Sequence, residues 1–230
     1  MKQQFKSVKV VATILLLLLL DTRAYSQMSK FVISLNSLTT NFNYGKANAD
    51  LNPYKKNYRG LQAGFSYQAG VTPLLSIVPE IYFAMKGGTL SVNNPITHSR
   101  STLRLNSLEL PVLTRLHFGK LYLNAGPYAG YNVGGRFKVD DTGTSSGTTS
   151  KLNFGNGVDE IKRWDFGFQA GAGYNFNMKQ SILTLDVRYG YGLVNISQGI
   201  ERYNRMLNIS VQVSKSGRKN FQQKRSDTDI

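Results

Sequence analysis

From residue 29 onward the dominant period of this chain is two, and that period belongs to half-buried β-strands rather than helices. The clearest case is 182–194, where Leu183, Leu185, Val187, Tyr189, Tyr191 and Leu193 share one face. Thr184, Asp186, Arg188, Gly190 and Gly192 take the other. Residues 204–214 repeat the pattern, with Leu207, Ile209, Val211 and Val213 opposite Asn204, Asn208, Ser210, Gln212 and Ser214. In 164–176, Trp164, Phe166, Phe168, Ala170, Ala172, Tyr174 and Phe176 oppose Asp165, Gly167, Gln169, Gly171, Gly173 and Asn175. In 120–134, Leu121, Leu123, Ala125, Ala129, Tyr131 and Val133 oppose Lys120, Asn124, Gly126, Gly130, Asn132 and Gly134. Segments 29–36, 61–69 and 75–86 alternate with more noise. In 103–118 the apolar phase slips, from odd at Leu103 and Leu105 to even at Leu108, Leu110, Val112, Leu116 and Phe118. Such a slip predicts a β-bulge near Asn106-Ser107. The total is eight strands. No segment carries a helical stripe, so βαβ architectures are excluded.

Eight alternating strands close in one of two ways. A lipocalin-like soluble barrel encloses its apolar face, whereas a membrane barrel turns that face to lipid and keeps a polar lumen. The polar face here carries Glu80, Lys86, Glu109, Arg115, Asp186 and Arg188 among many Gly, Ser and Asn residues. Small polar groups suit a narrow lumen that eight strands must share. The apolar positions of the late strands are large and aromatic, as lipid and interface contact require. The gaps agree: 37–59, 87–102 and 135–163 are long, 70–74, 118–120 and 177–180 are short, and 195–203 is intermediate. Outer-membrane barrels pair long extracellular loops with short periplasmic turns. The expected fold is therefore all-β, an eight-stranded antiparallel up-and-down transmembrane β-barrel. A soluble lipocalin-like carrier is the alternative.

The N-terminus agrees with export. Lys2, Lys6 and Lys9 precede an apolar run from Val10 to Leu20 that is too short for a spanning helix, and Ala24-Tyr25-Ser26 offers small residues for cleavage before Gln27. Residues 1–26 read as a signal peptide, 27–214 as the barrel domain and 215–230 as a polar, disordered periplasmic tail. The formal charge is +15. Losing 1–26 removes Lys2, Lys6, Lys9, Arg23 and Asp21, four positive charges and one negative, and leaves +12. An exported chain of this charge meets anionic lipid rather than nucleic acid.

Residues 79–86 (Pro-Glu-Ile-Tyr-Phe-Ala-Met-Lys), 108–113 (Leu-Glu-Leu-Pro-Val-Leu), 121–128 (Leu-Tyr-Leu-Asn-Ala-Gly-Pro-Tyr), 167–174 and 185–193 resemble the PorT-like outer-membrane β-barrel family. The resemblance spans most of 60–213. It implies an eight-stranded barrel in a Gram-negative outer membrane. It implies little about activity, because most members have no assigned role and a few assist protein secretion.

Candidate chemistry is sparse. With Cys 0 and His 2, thiolate and multi-histidine metal sites are excluded. Gly167, Gly171 and Gly173 sit within a strand, not between a strand and a helix, so they are lumen glycines rather than a nucleotide loop. His98 and His117 lack a triad context. No catalytic residue, cofactor or metal ligand is expected. Two sets of charges remain. Glu80, Glu109, Arg115, Asp186 and Arg188 share the inward phase, and opposite signs in one lumen should pair. Adjacency of the third and fourth strands favours Glu80 and Glu109 around Arg115, or around an Arg188 reaching across. In the loops, the basic runs Lys46, Lys55, Lys56, Arg59 and Arg136, Lys138, Lys151, Lys162, Arg163 suit lipopolysaccharide phosphates, with Lys55, Lys56, Arg59, Arg136 and Lys138 as the leading candidates. The reading is a non-enzymatic membrane scaffold or binding protein, with lipid, lipopolysaccharide and a protein or ligand partner as contacts. A secretion-assisting component and a narrow channel are the alternatives.

Overall fold

In the strands of the computed structural model, alternate side chains point into and out of a ring, so the period-two pattern becomes two cylinders, one inside the other. The structure describes residues 29–141, 146–155, 157 and 160–215. The export signal read over 1–26, the tail beyond Lys215 and residues 142–145 of the Ser/Thr-rich stretch lie outside the described residues. The strands are β1 (Lys30–Asn43), β2 (Lys55–Gly70), β3 (Leu75–Leu90), β4 (Ser101–Phe118), β5 (Leu121–Val139), β6 (Thr148–Lys151), β7 (Trp164–Asn177), β8 (Ser181–Gly192) and β9 (Tyr203–Lys215). One short helix, α1 (Asn48–Leu51), lies between 3₁₀ turns in the loop after β1.

Each strand pairs antiparallel with the next in the ring, and β1 closes the ring on β9. Register runs from Val32 opposite Ser214 to Asn43 opposite Tyr203. The barrel has eight strands, because β6 hangs outside the ring and pairs with β5 alone. Closure leaves no free edge in the ring, which is the condition for a sheet to stand in lipid. Phe31, Ile33, Leu35, Phe65, Leu185, Val187, Ile209 and Val211 all face outward and are exposed. Short turns join β2 to β3, β4 to β5 and β7 to β8 at the end where β1 starts and β9 finishes. The tightest is Gly119-Lys120, where Gly119 has φ +66°.

Two expectations need correction. The strands run further toward the long loops than the alternation does, to Asn43, Leu90 and Val139. Backbone pairing continues above the lipid, where no lipid imposes a pattern on side chains. The bulge lies where expected, at Asn106-Ser107, but its extra residue belongs to the other strand. Register shifts opposite Asn106 and Ser107, which face Gly134 and Asn132, so the extra residue is Val133 of β5. β4 keeps its odd residues inward throughout, Leu103 and Leu105 included. The apolar phase changes because the interior changes: near the loop end it is lined by hydrocarbon. Leu103 and Leu105 pack there with Phe42, Tyr44, Leu51, Leu90, Ile161 and Ile196.

Candidate functional site

Below that apolar cluster the lumen is polar and full. Among the largest side chains buried there are Arg115, Tyr82, Tyr122 and Lys86. Glycines on β7 make the space. A Cβ on Gly173 would stand 2.2 Å from the Tyr122 ring, and one on Gly167 would stand 2.5 Å from Tyr128 Cε1. These glycines are the gaps into which tyrosines fit.

The five lumen charges inferred from the sequence all lie inside, each at most 4 % exposed. They divide into two groups and one separate cation. Arg188 of β8 reaches across to β3, where its Nη1 donates to Glu80 Oε2 at 2.5 Å. Its Nε also lies 2.5 Å from Asp186 Oδ1, as an ion pair without hydrogen-bond alignment. Glu109 joins neither. Its Oε1 accepts from Lys86 Nζ at 2.8 Å, and the same ammonium donates to Asp165 Oδ2 at 2.8 Å. Gln62 Nε2 donates to the second oxygen of Glu109 at 2.7 Å. Arg115 makes no carboxylate contact among the described residues. It lies over the Tyr122 ring at 3.9 Å and donates to Gln68 Oε1 at 3.1 Å. Its expected grouping with Glu80 and Glu109 is therefore replaced by a cation–π contact, because Lys86 and Arg188 already occupy those acids. Tyrosines complete the network: Tyr122 donates to Asp186 at 2.6 Å and Tyr128 to Asp165 at 3.2 Å. Lys86 and Asp165 were legible on the polar face, but their pairing was not.

The loop end forms a cap. Asn94 ties the loop after β3, its Nδ2 donating to the Ser91 and Ser99 carbonyls and its Oδ1 accepting from Ile96 and Thr97 N–H groups. A cavity of about 470 Å³ opens among the loops, lined by Ile96, Leu103, Phe137, Leu152, Ile161 and Arg202. At its edge Arg202 Nη1 donates to Ser197 Oγ at 2.7 Å. Burial holds the Arg202 pKa below its ordinary value and pushes the Tyr44 phenol up.

The structure disperses the basic loop candidates. Lys55 turns to the cap and donates to Asn48 Oδ1 at 3.0 Å. Lys56 and Arg59 are exposed on β2, and Arg136 and Lys138 are exposed on the far side of β4, on β5. Lys138 pairs with Asp140 at 2.8 Å. Lys151 and Arg104, the second of which the sequence did not single out, stand beside Arg136 on either hand. Only cross-strand register brings them there. His98 is exposed in a loop, and His117 Nε2 lies 2.9 Å from Ser76 Oγ inside the barrel. Among the described residues no group of three or more His, Asp or Glu could hold a metal ion.

A closed antiparallel ring with apolar residues outside, charges inside and its loops at one end defines an outer-membrane β-barrel. The model of the outer membrane protein β-barrel domain family matches residues 27–198, and the chain belongs to that family. It is a protein of the outer membrane. No curated protein matches it by sequence. Among solved structures, Ail, the attachment invasion locus protein of Yersinia pestis, in complex with the heparin analogue sucrose octasulfate, is similar at 11 % identity. That likeness covers 81 % of this chain and 96 % of Ail, with a TM-score of 0.41. Neisserial surface protein A is similar at 12 % identity over 81 % of this chain and 96 % of its own, with a TM-score of 0.42. The outer membrane protein AlkL in DMPC bilayers is similar at 14 % identity over 84 % and 92 %, with a TM-score of 0.41.

Proposed function

We propose that this protein is a non-enzymatic, solute-tight barrel that works by contact, offering its extracellular loop cap and outer wall to lipopolysaccharide, a protein or a ligand. The observation that carries the reading is the filled lumen. An eight-stranded interior is only wide enough for side chains, and here Glu80, Lys86, Glu109, Asp165, Asp186 and Arg188 engage one another instead of lining a water path. The loop cap closes the extracellular end with its own apolar cluster and holds a cavity of about 470 Å³. Residues 1–26 act as the export signal, and the narrower PorT-like affiliation rests on 108–113 and 121–128. The test is electrical. Refolded protein added to planar bilayers should give no stable steps of porin size. Regular steps that survive removal of misfolded protein would replace the contact reading with a channel.

A further inference from the structure

Three cations stand side by side on the outer wall, and no salt bridge among the described residues balances them. Arg104 of β4 is directly opposite Arg136 of β5, and Arg136 is directly opposite Lys151 of β6. All three side chains are exposed and point away from the lumen. Like charges in directly opposed positions destabilise a sheet. No salt bridge among the described residues reaches any of the three. Asp140, on the same wall, is taken by Lys138 and Arg100.

The same residues line a notch of about 460 Å³, together with Leu152 and Phe154. The Val133 bulge and the Gly134-Gly135 pair shape it. A Cβ on Gly134 would meet only Asn106 Nδ2, at 3.9 Å, so this glycine leaves open space rather than relieving a clash. Height matters as well. On the membrane side of the notch, β4 and β5 pair Leu108 with Tyr131, whose ring lies edge-on to Trp164 at 5.0 Å. Aromatic pairs of this kind mark the membrane interface. The notch therefore begins just outside the apolar band, at the level where outer-leaflet headgroups lie.

We propose that this notch binds a phosphate of an outer-leaflet glycolipid, held by Arg104, Arg136 and Lys151, with the lipid's apolar part against Leu152 and Phe154. An anion placed among the three turns mutual repulsion into shared attraction, and arginine forks match phosphate oxygens in pairs. Arg104 is already steered into place, its Nη2 lying 3.2 Å from Met85 Sδ. The assignment rests on the contact reading above and names a ligand class for one part of the wall.

The refolded chain in detergent micelles should be titrated with bisphosphorylated lipid A, with dephosphorylated lipid A and with inorganic phosphate, following bound mass by native mass spectrometry. Bisphosphorylated lipid A should bind at least about ten-fold more tightly than the dephosphorylated form. Arg104→Gln with Arg136→Gln should remove that preference. Gly134→Leu, which keeps every charge and fills the notch, should remove it too, while heat-modifiable migration shows the barrel still folded. Lys120→Gln with Lys179→Gln, exposed at the opposite, turn end of the barrel, should leave it unchanged. Wild-type preference in the notch variants would overturn the site, and inorganic phosphate competing as well as lipid A would overturn the lipid assignment. Neither result would touch the contact reading, which falls instead on conductance.

Discussion

Glu80 and Arg188 are 108 residues apart in sequence and meet at 2.5 Å across the lumen. Removing one member of a buried ion pair leaves the other charged without compensation, at a cost of about 3–5 kcal/mol. Arg188→Gln exposes two acids to that cost, Glu80 and Asp186, so it should be the more damaging single change. Glu80→Gln combined with Arg188→Gln should cost less than the two separately. A urea-unfolding cycle in lipid vesicles measures the difference, and simple additivity would mean that the pair is hydrated. At Gly173 the issue is volume. Gly173→Ala drives a methyl into the Tyr122 ring and displaces the phenol that donates to Asp186. Overpacking of this kind costs about 1–3 kcal/mol, and the same unfolding assay should show it.

At the scale of the strand, the outward face is set by lipid. Leu185 and Val211 are opposed on β8 and β9, and both are exposed. Leu185→Arg should destabilise the barrel by about 2–4 kcal/mol near the bilayer midplane. Refolding yield and urea midpoint in vesicles would show the loss, and an unchanged midpoint would place β8 outside lipid. Loops obey different rules. The loop after β3 has few apolar anchors and relies on Asn94, whose amide satisfies backbone groups on both sides of the turn. Asn94→Ala should therefore make 91–100 the first site of proteolytic nicking while leaving the barrel's unfolding midpoint unchanged. How far the elements could be read from the sequence follows the same division. Alternation showed eight strands and their faces wherever lipid enforces a pattern. It stopped short of Asn43, Leu90 and Val139, to which the strands continue above the membrane on backbone pairing alone.

At the scale of the whole molecule, the ring gives each end of the barrel a side of the membrane. Cysteine is absent from the chain, so single cysteines report without interference. Lys46→Cys and His98→Cys, both exposed at the loop end, should react with a membrane-impermeant maleimide on intact cells. Lys120→Cys and Lys179→Cys, exposed at the turn end, should react only after the outer membrane is opened. Labelling of Lys120→Cys on intact cells would invert the topology.

Faces and strand count were available from the sequence because the alternation of Cβ atoms is a property of each strand by itself. The inward placement of Glu80, Glu109, Arg115, Asp186 and Arg188 followed from that, as did the lumen role of Gly167 and Gly173. Partners did not follow. Whether Glu109 meets Arg115 or Lys86 depends on the stagger with which eight strands close, and closure is decided by β1 finding β9 at the far end of the chain. The misassigned bulge has the same origin. The change from Leu105 to Leu108 looked like a slipped strand, but the interior had turned apolar under loops drawn from four separate parts of the chain. The cationic row of Arg104, Arg136 and Lys151 also exists only in register. Each of these charges is unremarkable in its own strand, and pairing the strands sets them side by side.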